Sequence, residues 1–201
     1  YTFGLKRKKS CIIKGLDLTI SPGQVMAVIG QSGAGKSLLA HALLGILPGN
    51  ARVEGSMLFK GEPLTPQRLK ILRGRQISLI PQSVTSLNPL LRVGLQVARA
   101  AQLGGIARKD VPTTVRQAFT RYLLPEEVMG WYPFQLSGGM ARRVLTATAT
   151  VGKADLIIAD EPTSGLDPVA IREALGHLRE LADTGKAVLL ITHDIEAALH
   201  I

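Results

Sequence analysis

"VMAVIGQSGAGKSLLAHALLG", residues 25–45, decides the fold. Five apolar residues, Val25 to Ile29, stop at Gly30, a glycine-rich turn follows, and beyond Lys36 apolar residues return at helical spacing. A strand that turns through glycines directly into a helix aims unpaired backbone N–H groups at whatever sits at the helix mouth. The spacing Gly30-x4-Gly35-Lys36-Ser37 is that of a phosphate-cradling P-loop, with a strand before it and a helix after it as the mechanism requires. Gly30, Gly33 and Gly35 let the backbone curl, and Gln31, Ser32, Ala34 and Leu38 complete the cradle. Lys36 is expected to neutralise β/γ-phosphate charge and Ser37 to ligate Mg²⁺.

Three more short apolar runs end in polar chemistry. "ISLI" (Ile77–Ile80) meets Pro81-Gln82, "LIIA" (Leu156–Ala159) meets Asp160-Glu161, and "AVLLIT" (Ala187–Thr192) meets His193-Asp194. Runs of Val, Ile and Leu without alternation suit strands buried on both faces of a parallel sheet. Helices over Ser37–Leu47 and Pro168–Asp183 are expected to cover those faces. In such α/β folds ligands bind beyond the carboxyl ends of the strands, so all four polar switches are predicted to meet at one edge. Adjacent carboxylates there are costly unless a cation shares the site. Asp160 is therefore assigned to Mg²⁺ and Glu161 to orienting and deprotonating an attacking water. Gln82 is assigned to reach the metal or the water, and His193 to bond the γ-phosphate. His41 and His177 lie within helical stretches and are read as structural.

Between Asn88 and Gly130 the texture is helical. Leu95–Ala101 and Val111–Leu123 read as amphipathic helices broken by Gly104-Gly105 and Pro112. With the helix after Ser137, whose Met140, Val144, Ala147 and Val151 recur at helical spacing, they predict a helical insertion over about 88–150. Thr146, Thr148 and Thr150 are weak helix formers, so packing must hold that helix. The N-terminal stretches "LDLTI" (Leu16–Ile20) and "SMLFKG" (Ser56–Gly61) alternate and predict a small antiparallel sheet. The fold class expected is thus α/β, a mostly parallel core sheet with an N-terminal antiparallel β-subdomain and an inserted α-helical subdomain.

"YPFQLSGGMARR", residues 132–143, supplies a second glycine-rich helix mouth. Ser137-Gly138-Gly139 offers N–H groups to an anion but brings no lysine, no metal ligand and no preceding strand. It can clasp a terminal phosphate without holding a nucleotide unaided. The economical arrangement is a head-to-tail pair of chains, each closing the other's nucleotide, with Asp167 of "SGLD" at the seam.

Composition narrows the class. With 201 residues, 46% of them hydrophobic, the chain can bury a core as one domain, and no apolar run approaches the roughly 18–20 residues that cross a bilayer. Its one cysteine, Cys11, excludes an internal disulfide and fits a reducing cytosol. The net charge of +9 is scattered apart from Lys6–Lys9, read as a solvated hairpin tip, and Arg68–Arg75. Aromatic residues are only 4%, too few for a base-stacking surface. Tyr1-Thr2-Phe3 reads as mid-strand and Asp194–Ile201 as a helix cut short, so the domain is expected to be trimmed at both ends.

P-loop, Gln82, "LSGGM", "LIIADEP", "SGLD" and His193, in that order, resemble the nucleotide-binding subunit of ATP-binding-cassette (ABC) proteins over nearly the whole chain. "SLNPLLRVGLQV" and "YPFQLSGGM", with Met140 where most cassettes have Gln, look like ATPase subunits of peptide/nickel-type importers. The resemblance implies ATP with Mg²⁺, and hydrolysis that powers import of nickel, a metal–chelator complex or a di- or oligopeptide. It implies a second cassette, identical or paralogous, as partner, transmembrane permease subunits, and an extracytoplasmic solute-binding protein acting indirectly. It also implies a peripheral position on the cytoplasmic face of the inner membrane, with Ser83–Gln96 receiving the permease. Two departures stand out: Arg142 replaces that branch's usual Gln, and the adenine-stacking aromatic has no clear counterpart beyond Tyr1 or Phe3. An exporter subunit is the nearest alternative. A nucleic-acid-acting cassette would carry long coiled-coil arms, and about a hundred residues without sustained heptads separate the P-loop from the second mouth. A translation-factor cassette would pair two such domains in one chain.

Overall fold

Apolar runs form the sheet and their alternation fixes its two faces. In the computed structural model, which describes residues 11–31, 33–199 and 201, strands β1 (Val25–Ile29), β4 (Ile77–Ile80), β5 (Leu156–Asp160) and β6 (Ala187–Thr192) make one sheet in the order β1-β6-β5-β4. Every pairing in it is parallel. On β5, Ile157 and Ala159 pack toward α6 (Pro168–Asp183), while Leu156 and Ile158 pack on the opposite side with Ala40 and Leu44 of α1 (Lys36–Leu44) and Leu72 of α2 (Pro66–Leu72). Val188 and Leu190 of β6 share the first face, and Leu189 and Ile191 the second. β5 and β6 are central and buried almost throughout. Each such Leu or Ile contributes about 1.5–3 kcal/mol by leaving water. β1 lies at the margin among the described residues, which is why its residues are only partly covered.

The helix over Pro168–Asp183 matches expectation. It starts cleanly because Asp167 Oδ1 accepts the N–H groups of Val169 and Ala170 at 2.9 and 3.0 Å, with Pro168 in the first turn. The first helix ends earlier than expected, at Leu44, because Gly45 takes a left-handed φ of 64° and caps it. Pro112 does not break α4 (Val111–Arg121); it sits in the first turn, where its missing N–H costs nothing. The antiparallel sheet is smaller than predicted: Leu58–Phe59 (β2) pairs with Glu62–Pro63 (β3), and Leu16–Ile20 joins no strand among the described residues. The alternation there was real, since Leu18 and Ile20 turn onto the α1 face of the core, but it expresses packing without a ladder. The Lys6–Lys9 tip and the two candidate aromatics Tyr1 and Phe3 lie outside the described residues, as do Ser32 and His200.

Residues 87–151 build their own apolar cluster. Helices α3 (Val93–Leu103), α4 and α5 (Gly138–Thr150) bury Val93, Val97, Phe119, Val144 and Ala147 together. Each of the three threonines on α5 donates its hydroxyl to the carbonyl four residues back, at 2.8–3.1 Å. The Thr150 hydroxyl also bonds that of buried Tyr122 at 2.7 Å, so the weak helix formers are satisfied locally and held by packing. Where this cluster meets the sheet, backbone touches backbone. A Cβ on Gly104 would stand 2.6 Å from the Cα of Gly152, and the N–H of Lys153 donates to the carbonyl of Gly104 at 3.1 Å. Only glycine fits that approach.

Candidate functional site

Parallel pairing carries all four strand ends to one edge. Ile29 stands beside Thr192, Asp160 beside Ile191, and Ile80 beside Ala159. The residues that follow, Gly30, His193, Glu161 and Pro81-Gln82, therefore line up across the carboxyl edge of the sheet, as the sequence predicts. The loop after β1 is fastened there by a bond from the N–H of Gly30 to the carbonyl of Thr192, 3.3 Å.

Gly33 and Gly35 adopt φ of 83° and 87°, the left-handed region the curl demands. Gly35 also caps α1 without a side chain, so nothing of its own blocks the helix mouth. A Cβ on Gly35 would also lie 2.6 Å from the Ile12 side chain, which would have to shift to admit it. The Lys36 ammonium folds back into the loop, donating to the carbonyls of Gly30 at 2.6 Å and Gln31 at 3.0 Å. It also lies 3.4 Å from Glu161 Oε1. Glu161 Oε2 is 2.7 Å from Nδ1 of His193, and the backbone N–H of His193 points at the same oxygen at 3.4 Å. Glu161 is thus a buried bridge, 5% exposed, between the loop cation and the imidazole. Its backbone sits at φ 49°, a left-handed value rare for a side chain with a Cβ.

Asp160, 4% exposed, has one carboxylate oxygen, Oδ1, with no hydrogen-bond partner. Burial raises its pKa first and the Glu161 charge adds to that, while the Ser37 hydroxyl, His41 and Lys36 work the other way. An orphaned, desolvated carboxylate beside a hydroxyl, at the foot of a phosphate cradle, suits Mg²⁺, which takes one or two carboxylates and completes its shell from phosphate and water. Asp160 and Ser37 are the oxygens that fit it. The ionised form of Asp160 is disfavoured by folding, so this residue lowers stability above its raised pKa, and the loss disappears as pH falls through that value. Asp160→Asn is accordingly expected to stabilise the ligand-free protein by about 1 kcal/mol at neutral pH. The gain should shrink on acidification, and melting curves should lose the extra stabilisation that Mg²⁺ with nucleotide gives the parent. Equal melting curves for the two proteins across pH would refute it.

The other predicted residues fall into two groups. Gln82 is exposed just past β4 and makes no side-chain hydrogen bond with the described residues. Ser137, Gly138 and Gly139 are exposed at the start of α5, where Ser137 Oγ accepts the N–H of Met140 at 3.2 Å. Nothing stands within 4 Å of where a Cβ would be on either glycine, so that mouth opens away from its own chain's packing. Asp167 is exposed and committed to capping α6, and its pKa is lowered chiefly by the Ala170 N–H. Sequence reasoning missed four neighbours of the site. His41, read as structural, lies four residues after Ser37 on the same face of α1, and its charge reaches Asp160. Ile12 and Ile13 pack on Gly35. Arg142 reaches across from α5 to the Glu161 carbonyl at 3.2 Å.

Comparison with known proteins gives a consistent picture. Residues 13–164 match the profile of the ABC transporter family. The oligopeptide transport ATP-binding protein OppD of Haemophilus influenzae is 37% identical over 191 residues, covering 91% of this chain and 59% of OppD. The dipeptide transport ATP-binding protein DppD of Bacillus subtilis is 34% identical over 193 residues, covering 91% of this chain and 58% of DppD. The chain therefore spans about three fifths of the length of these curated relatives. Among solved structures, the dimeric MJ0796 cassette of a bacterial ABC transporter superposes with a TM-score of 0.83 at 26% identity, covering 94% of this chain and 83% of that one. The same cassette in a dimeric post-hydrolysis state bound to ADP and Pi gives 0.82 at 26% identity, covering 93% and 82%.

Proposed function

The chain belongs to the ABC transporter family, and from that premise we propose that it is an ATP-hydrolysing subunit that powers peptide import. The observation that carries this reading is the run from Lys36 through buried Glu161 to the exposed His193 at the carboxyl edge of the sheet, beside the orphaned oxygen of Asp160. When ATP enters, Lys36 exchanges the loop carbonyls for the β- and γ-phosphates, a stronger charge-assisted partner. That releases Glu161 Oε1 to accept a proton from water. The water oxygen bonds to the γ-phosphorus as the bond from that phosphorus to the bridging oxygen breaks, and ADP and phosphate result. His193, oriented through Nδ1 by Glu161, presents Nε2 toward the γ-phosphate. Ser37 and Asp160, with Gln82, would hold Mg²⁺, which would supply positive charge against that developing on the phosphates.

Two such chains pair head to tail, the Ser137-Gly138-Gly139 mouth of each closing the nucleotide of the other, with Asp167 near the seam. The exposed, uncluttered mouth and the dimeric likeness of the MJ0796 cassette support this arrangement. The partner cassette is identical or paralogous. The chain acts as one nucleotide-binding domain whose helical insertion spans about 88–150, at the cytoplasmic face of the inner membrane. Among the described residues no helix is long and apolar enough to cross a membrane. Permease subunits dock on residues 83–96, and an extracytoplasmic solute-binding protein supplies cargo without touching this chain. Exposed Leu90 (82%) gives that surface an apolar contact. Gln96 stiffens it by donating to the carbonyls of Asn88 and Leu91 and accepting the Asn88 N–H.

The relatives' names favour peptides over nickel as cargo. Cells lacking this gene are expected to lose uptake of a labelled short peptide and to keep uptake of radioactive nickel. Retention of both uptakes in the deletion strain would count against import, and loss of nickel alone would move the cargo to the metal.

A further inference from the structure

Arg142 lies on α5, four residues after Gly138 and so one turn in from the exposed mouth. Its Nη1 donates to the carbonyl of Glu161 at 3.2 Å and reaches that of Pro162 at 3.5 Å. No carboxylate forms an ion pair with it among the described residues, so the two carbonyls are what this guanidinium has in exchange for water. Glu161 needs such a contact. Its φ of 49° is unfavourable for a residue with a Cβ, and the following Pro162 restricts it further. A conformation of this kind persists where its surroundings over-determine it. The N–H of Glu161 is held from one side by the carbonyl of Ile191 at 2.8 Å; its carbonyl accepts the Ser164 N–H within the turn and, from α5, the Arg142 guanidinium, each at 3.2 Å. With both ends of the residue fixed, the direction of its Cα–Cβ bond is set, and from there the carboxylate meets Lys36 and His193.

We propose that Arg142 is a positioning residue for ATP hydrolysis: it clamps the Glu161–Pro162 turn from the helix that opens at Ser137, and so aims the Glu161 carboxylate at the attacking water. The inference rests on the reading of Glu161 as the base. It also gives the helix mouth a direct mechanical link to that base, because a shift of α5 pulls on the carbonyl of the same residue.

The test compares Arg142→Met, of similar length but without donors, with Arg142→Lys, which restores a single cationic donor. For full-length protein, Arg142→Met is expected to lower kcat about ten-fold, the effect of losing a charge-assisted bond in the clamp, with KM for ATP within about two-fold. Affinity for a fluorescent ATP analogue should stay unchanged, and Arg142→Lys should give a kcat between those of the parent and Arg142→Met. A parental kcat in Arg142→Met, a loss that appears in KM or affinity instead, or no recovery with Lys would overturn the clamp. Should Arg142→Met not fold, Arg142→Lys decides alone: a fall of about three-fold in kcat at constant KM supports the proposal, and a parental kcat refutes it. Glu161→Gln, run alongside, separates the two levels. A parent whose phosphate release is insensitive to Glu161→Gln sinks the reading of Glu161 itself, whereas a sensitive parent with an indifferent Arg142→Met sinks only the clamp.

Discussion

Glu161→Gln is expected to cut turnover by orders of magnitude and to leave a protein that still binds ATP and, once loaded, stays paired. The amide keeps the shape of the side chain and can still meet Lys36 and His193, which flank the carboxylate at 3.4 and 2.7 Å. What it loses is the ability to take a proton from water. A positioned general base contributes about 10²–10⁴-fold, so kcat is expected to fall by that range while ATP affinity holds or tightens. Pairing should persist because an uncleaved γ-phosphate continues to bridge the P-loop of one chain and the Ser137 mouth of the next; ligand that favours the closed pair stabilises it by linkage. Phosphate release assays and size-exclusion chromatography with ATP and with ADP read both halves. Wild-type hydrolysis by the variant would remove Glu161 from its role, and a monomer in ATP despite abolished turnover would remove the bridge.

Lys36→Ala has a comparable effect on a different quantity. In the absence of nucleotide the ammonium is committed to the carbonyls of Gly30 and Gln31 and to Glu161, almost out of solvent. On the proposed role those are the contacts it would exchange for triphosphate, so its removal is expected to subtract a buried, charge-assisted partner from the bound state. Calorimetry is expected to show ATP binding weakened about 100-fold, or about 2.7 kcal/mol. The variant also leaves Oε1 of the buried Glu161 carboxylate without its cation, although Oε2 keeps His193, so its melting temperature should drop even without ligand. Unchanged nucleotide affinity would overturn the assignment, whatever happens to stability.

The sequence made the core legible where one physical rule decided the outcome. Four Val/Ile/Leu runs too short for helices and without alternation became four parallel strands, three of them with the bounds expected, because burial on both faces leaves little else for such runs to do. Glycine spacing after β1 likewise left one conformation for the loop. Leu16–Ile20 was harder: alternation reports which residues face inward, and it is silent on whether a neighbouring strand is there to pair with. At the site, residues that follow a strand end could be placed by the strand. Arg142, His41 and Ile12 could not, since each reaches the site from an element whose approach depends on tertiary packing. Two weak signals existed. His41 repeats Ser37 at the next turn of α1, and Arg142 sits one turn inside a helix mouth already under suspicion for chemistry.

The close approach of Gly104 to Gly152 bears on how such proteins can be recombined. One of these glycines belongs to α3's end and the other follows α5, so a hybrid that exchanges residues 88–150 with a relative replaces one face of the pair and keeps the other. Any donor block that brings even an alanine to face Gly152 wedges the two halves apart at the backbone, where no rotamer can yield. Compatibility of grafted blocks is therefore expected to depend on this point of missing side chains as well as on apolar residues such as Ala149 that pack on the sheet, and a library of hybrids should show a loss of folded members wherever that position gains a side chain.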